Sequence, residues 1–246
     1  MTTYDLRVNT VLVVLIAAFI TISCASSEVT SSRNYAGDEP MPKPGRIIVH
    51  NFAATPGDIT ADAAVSGRYE KHYVPQTAEQ VRVGRQLGDV VARKLVKEIL
   101  DLGMPAERAH TGPPPGIGDL LIKGAFISID EGSRTKRMLI GFGAGAGELK
   151  TLVEGYQITS YGKRLLGSKE IKAAGGKMPG MLVPVAGGAA AGKAGRSAVI
   201  SGSMNVVQEL GAESLEGAAK RTAEEIAKVL SQAFARHGWI PAGKAK

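Results

Sequence analysis

The sequence predicts an α+β fold, a mostly antiparallel sheet (strand, long helix, β-meander, C-terminal helix) with helices on one face. Three observations carry that expectation. A short β-branched run is followed by one long amphipathic helix, alternating segments separated by glycine turns come next, and a second amphipathic helix closes the chain. A helix stripe and a sheet face each need an apolar partner, so this order builds a helix layer on one side of a meander.

Arg46-Ile47-Ile48-Val49-His50-Asn51-Phe52 reads as the first strand, bounded by Gly45 and a turn region over 53–57. His50 shares a face there with Ile48 and Phe52, because side chains alternate along a strand. The first helix opens at Thr77, where Thr77-Ala78-Glu79-Gln80 fits a capping box, and runs to Leu102 before Gly103 and Pro105 stop it. Val83, Leu87, Val91, Leu95, Ile99 and Leu102 recur at steps of three or four, which gives one apolar stripe to lay on a sheet.

Leu120 to Asp130 is the second strand, Glu131-Gly132-Ser133 a turn and Lys136 to Phe142 a third strand, a hairpin by spacing and turn chemistry. Leu149 to Tyr161 alternates, and Gly162 separates it from Arg164 to Lys172, which extends the meander. The last helix spans Ser214 to Arg236, carries Leu215, Ala219, Ile226, Leu230 and Phe234, and ends at Gly238 before Trp239. It is expected to pack beside the first.

Between meander and last helix, residues 173–202 are dominated by Gly and Ala, with Pro179 and Pro184 among them. Gly188 and Gly192 form a GxxxG pair, and Gly187, Ala191 and Gly195 a second row of small residues. Such rows let helices approach closely, so a helix packed tightly on the domain or on a neighbouring copy is expected here. A flexible loop and a membrane contact are the alternatives, the latter opposed by Lys193 and Arg196.

The N-terminal part gives an address. Residues 1–23 have the parts of an export signal: a short polar start with Arg7, an apolar stretch and small residues before a cut site. Val11 to Ile22 is a run of roughly a dozen residues, short of the about 20 that a spanning helix needs. The only cysteine, Cys24, follows directly, and Ile22-Ser23-Cys24-Ala25 looks like a lipobox, with Thr21 where leucine is usual. A lone cysteine cannot close an internal disulfide, and acylation by palmitate and related chains is the expected chemistry of Cys24; an ordinary secretory signal that ends near an incidental cysteine, or an uncleaved anchor, is the alternative. Similarity to Gram-negative lipoproteins, with Ala25 after the cysteine, implies sorting to the outer membrane, periplasmic face.

Residues 24–44 are rich in Ser, Asp, Glu, Pro and Gly and read as a disordered tether. The α+β periplasmic domain is then 45–240, with 241–246 a disordered tail.

No enzyme pattern stands out. Gly141, Gly143 and Ala146 satisfy a loose dinucleotide fingerprint, but alternation follows where a helix N-terminus should hold the pyrophosphate. Residues 187–194 space Lys193 as a phosphate loop does, yet Ala194 replaces the hydroxyl that would ligate magnesium. A nucleotide-binding enzyme using these segments is the weakest reading. His50, His72, His110 and His237 are scattered with no i, i+4 pair, so no metal is expected. Asp130 and Glu131, paired acids at a turn, read as solvated. No catalytic residue and no cofactor are assigned.

The formal net charge is +7, and removing residues 1–23 takes away Asp5 and Arg7 together, so the excess stays with the domain. Arg134, Lys136 and Arg137 beside the hairpin turn, with Lys163, Arg164, Lys169 and Lys172, could face an anionic surface such as lipid headgroups, lipopolysaccharide or cell-wall polymer. A solvated basic face is the plainer reading. Nucleic acid is not an expected partner: aromatic residues, which would stack on bases, make up 5% of the chain.

Gly118-Asp119-Leu120-Leu121-Ile122-Lys123-Gly124, then Asp130-Glu131-Gly132-Ser133-Arg134 and Leu139-Ile140-Gly141-Phe142-Gly143-Ala144-Gly145, resemble the bacterial lipoproteins grouped as domain of unknown function 4410. Gly176-Lys177-Met178-Pro179-Gly180 and the closing Gly238-Trp239-Ile240 are similar to that family too. The resemblance implies fold and location and transfers no catalytic residue. The expectation is a membrane-tethered, non-enzymatic interaction or assembly module of the cell envelope. Its partner would be an envelope protein or a second copy, and the alternative is a cationic binder of cell-wall polymer or lipid headgroups.

Overall fold

Thr77 opens the first helix as the sequence predicts, in a computed structural model of the chain that describes residues 27–37, 40–59, 77–109, 111–130, 147–175 and 203–246. The helix, α1, spans Ala78–Asp101, and both halves of the capping box form. Thr77 Oγ1 accepts from the Gln80 N–H at 3.2 Å, and the Thr77 N–H donates to Gln80 Oε1 at 2.9 Å. Two of the four N–H groups that a helix start leaves open are thereby satisfied. The helix ends at Leu102, and Gly103 turns the chain at a φ of 85° that favours glycine.

Five of the strands are β1 (Ser27–Asn34), β2 (Ile47–Val49), β3 (Ala106–Arg108), β4 (Leu120–Asp130) and β5 (Glu148–Thr159), and the sixth is β6 (Gly162–Ala174). They form one sheet in the order β1-β6-β5-β4-β2-β3. The β4-β5-β6 meander is antiparallel, whereas β2 runs parallel to both β3 and β4. Parallel neighbours need a crossover, which α1 supplies between β2 and β3. The three-residue β3, Ala-Glu-Arg, lacks the β-branched signal that would announce it. The predicted third strand, 136–142, lies outside the described residues, and β4 pairs directly with β5, from Leu120 opposite Gln157 to Asp130 opposite Glu148.

The tether expected over 24–44 is corrected by β1. Ser27–Asn34 pairs antiparallel with β6 along its length, with a bulge near Thr30. As an edge strand it has one neighbour and mostly exposed side chains, so polar residues suit it, and Val29 alone packs on the core. The chain beyond β1 is docked too: the Tyr35 and Ala36 amides donate to the Leu166 carbonyl, and Trp239 Nε1 donates to the Met41 carbonyl at 3.0 Å.

The second helix, α2, spans Ser203–Arg236, eleven residues longer at its start than the expected Ser214. It lies beside α1 on the same sheet face, where Lys94 of α1 bridges to Glu224 at 3.1 Å. The core sits between this helix pair and the sheet: Leu87, Val91, Leu95 and Ile99 from α1, Leu215, Ala219, Ile226 and Phe234 from α2, and Ile47, Val49, Ile122, Phe126, Leu149, Val153 and Ile171 from the strands. The terminal segment 241–246, expected as disordered, is also corrected. It forms a 3₁₀ turn over Ala242–Lys244, and Lys246 reaches both Ser231 Oγ and Glu98, because a cation there meets a nearly buried carboxylate.

Candidate functional site

The described residues border an open cavity of about 700 Å³ between the sheet and the C-terminal half of α2. Its floor is where β5 and β6 pair glycine with glycine, Gly155 opposite Gly167. The two glycines have different reasons. A Cβ on Gly167 would sit 2.9 Å from the Arg33 carbonyl of β1, so close approach of the edge strand excludes a side chain. A Cβ on Gly155 would meet nothing within 4 Å, so that position faces open space.

The walls are apolar, with Ile122 and Val153 from the sheet and Ile226, Leu230 and Phe234 from α2. At one end Trp239 packs against Phe234 with ring centroids 5.5 Å apart, and His237 stacks on Trp239 at 5.0 Å. Polar groups enter from β1, β6 and the end of α2: Ser32, Lys169 and Arg236. Lys169 Nζ donates to Ser32 Oγ at 2.6 Å. Burial pulls the Lys169 ammonium below its ordinary pKa and the neighbouring Arg236 pulls it further, so the two cations oppose each other.

A second polar group sits on the sheet face away from the helices. Lys123 of β4 stands directly opposite Glu154 of β5, and the Tyr156 hydroxyl donates to Glu154 Oε2. All three side chains are buried. Burial lowers the Lys123 pKa, and Glu154 opposes that shift by favouring the charged ammonium. A third cluster holds the β2 entrance. Arg46 donates through Nε and Nη2 to Asp119 Oδ2 and through Nη1 to Glu107 Oε1, and it also reaches the Pro113 and Pro114 carbonyls. It ties β2, β3 and the approach to β4 together and keeps the parallel pairings in register.

Of the residues singled out in the sequence, Cys24, Arg134, Lys136, Arg137, Gly188 and Gly192 lie outside the described residues. The basic strand β6 is partly neutralised, since Lys172 bridges to Glu148 at 3.0 Å. Asp130 is exposed at the end of β4, as expected. The Lys123 and Glu154 pair was not foreseen. Its signal is a lysine in mid-strand that shares its face with Leu121 and Ala125, where one face would ordinarily be solvated. Nor was the cavity legible, because Gly155 reads as one more strand glycine. Among the described residues no group of three or more His, Cys, Asp or Glu could hold a metal ion, and no helix is long and apolar enough to cross a membrane.

The fold and cavity define a small α+β domain with a helix pair over a mixed, mostly antiparallel sheet. A profile described as Domain of unknown function (DUF4410) matches residues 47–192, and the chain belongs to that family. Among solved structures it is similar to the dodecamer of a PelC point variant from Paraburkholderia phytofirmans in space group C2, at 12% identity over 78% of this chain and 98% of that one, with a TM-score of 0.32. The PelC dodecamer from the same organism in space group P6 shares 10% identity over 61% and 83% of the two chains, with a TM-score of 0.30. No curated protein matches the chain.

Proposed function

We propose that the protein is a lipoprotein of the bacterial outer membrane, anchored on the periplasmic face through Cys24, whose domain is a non-enzymatic interaction or assembly module for another envelope component or a second copy of itself. The observation that carries this reading is the single cysteine placed directly after an apolar run too short to span and a small residue, Ser23. Three acyl groups on one cysteine would bury far more methylene than one myristoyl chain, at about 0.8 kcal/mol per CH₂, and so hold the domain firmly. The family match supports the reading only as far as membership, since the family's description assigns no activity.

Two experiments test it. Cys24→Ala should abolish incorporation of radiolabelled palmitate and release the protein from the membrane fraction, whereas persistent labelling or retention refutes the anchor. In-cell crosslinking with identification of the trapped species should return an envelope protein or a homo-oligomer, and recovery of the uncrosslinked chain alone counts against the interaction module.

A further inference from the structure

The cavity under α2 carries an inference that is independent of the anchor. Its volume of about 700 Å³ falls within the roughly 300–1,000 Å³ typical of ligand pockets, which are mostly apolar with a few placed polar groups. The apolar part has Val153 on one side, Ile226 and Leu230 on the other, and bare backbone at Gly155 below. The cations on the helix side of the cavity are Lys169 and Arg236, whereas Arg33 and Glu154, which also border it, fall in register with Ser168 on the other sheet face. No carboxylate pairs with Lys169 or Arg236 among the described residues, and the hydrogen-bond partner of Lys169, Ser32, is neutral. The C-terminal end of α2 favours a cation at Arg236 by itself. It does not account for a second, partly desolvated cation, Lys169, lining the same cavity.

We propose that this cavity binds an amphipathic anion with one acyl chain, the chain lying against Val153, Ile226 and Leu230 over Gly155 and the carboxylate or phosphate head held between Lys169 and Arg236. Two like charges at the rim of an apolar cavity are each stabilised by a shared anion, and a single hydrocarbon chain fills a narrow space between sheet and helix. A free fatty acid and a lysophospholipid with an exposed phosphate offer the same chemistry.

The test irradiates the purified full-length chain with ω-diazirine hexadecanoate and maps crosslinked peptides by mass spectrometry, which separates the cavity from any acyl group on Cys24. Crosslinks should fall on β5 and on the C-terminal half of α2, and crosslinks confined to other segments overturn the proposal. Unlabelled hexadecanoate or palmitoyl lysophosphatidic acid should displace the probe, the stronger competitor identifying the preferred head, and affinity should fall about fourfold for each methylene removed. Displacement by hexadecanol as good as by hexadecanoate overturns it. The double substitution Lys169→Met with Arg236→Met should weaken hexadecanoate about tenfold or more and leave hexadecanol unchanged. Gly155→Leu should fill the floor and abolish crosslinking while thermal unfolding stays cooperative. If that variant fails to fold, the methionine pair carries the test, and unchanged hexadecanoate affinity in it overturns the proposal.

Discussion

The carbonyl oxygen of Phe52 lies 2.1 Å from the point where a Cβ on residue 88 would sit. Gly88 is therefore the place where α1 touches the chain leaving β2, backbone against backbone, and the Phe52 N–H also points to the Gly88 carbonyl at 3.4 Å. Gly88→Ala should force the two apart and destabilise the domain by about 1–3 kcal/mol, the usual cost of overpacking. Urea unfolding measures it, and an unchanged midpoint would show that the contact gives way freely.

The capping box of α1 makes a smaller and cleaner prediction. Thr77→Ala removes the oxygen that accepts from the Gln80 N–H, and the loss of an N-cap costs about 1 kcal/mol. Thr77→Ser keeps the acceptor and should restore most of the stability. Equal midpoints for the alanine and serine variants would refute a capping role.

Glu98 is nearly buried and accepts hydrogen bonds from Lys246 and Lys94, which together hold its carboxyl below the ordinary carboxylate pKa, the Lys246 bond contributing most. A carboxylate depressed in the folded state contributes stability that is present above its unfolded pKa and lost as pH falls through its folded one. Glu98→Gln should therefore be less stable than the parent near neutral pH. The difference should shrink through the acid range below the ordinary glutamate value of 4.5. A gap that stays constant in thermal melts from neutral to acid pH would mean that the ion pairs carry none of it.

Arg46 offers a test of how the parallel strands are held. Arg46→Lys keeps the charge but cannot make the two-pronged contact to Asp119 together with the reach to Glu107, because a lysine is a point charge on a flexible stem. It should lower the melting temperature, and Arg46→Ala should lower it further by leaving the buried Asp119 with the Gly116 N–H but without its cation. Hydrogen exchange should then speed first at Ile47–Val49 and Ala106–Arg108, the short strands that this side chain clamps. Uniform exchange across the sheet would place the clamp elsewhere.

Periodicity made the long elements legible. The stripe Leu87, Val91, Leu95, Ile99 gave α1 its buried face, and Thr77 with Gln80 gave its start to the residue. Short edge strands carried no such signal. Ser27–Asn34 has the composition of a linker, and only its pairing with β6 makes it a strand. Ala106–Arg108 is three residues long and held by its neighbour β2 and by Arg46, which are tertiary facts. The cavity was illegible for a related reason. Gly155 and Gly167 look alike in sequence, yet one glycine makes room for a neighbouring backbone and the other borders open space.

Ser27, the first residue of β1, stands only three positions after Cys24. An extended chain covers at most about 3.6 Å per residue, so whatever is bonded to that cysteine is held within roughly 11 Å of the outer edge of the sheet. A lipid there would mount the domain almost flush with the bilayer, as on a short leash. Anything that the domain engages would then have to come to the membrane surface, since the domain could not swing out to meet it.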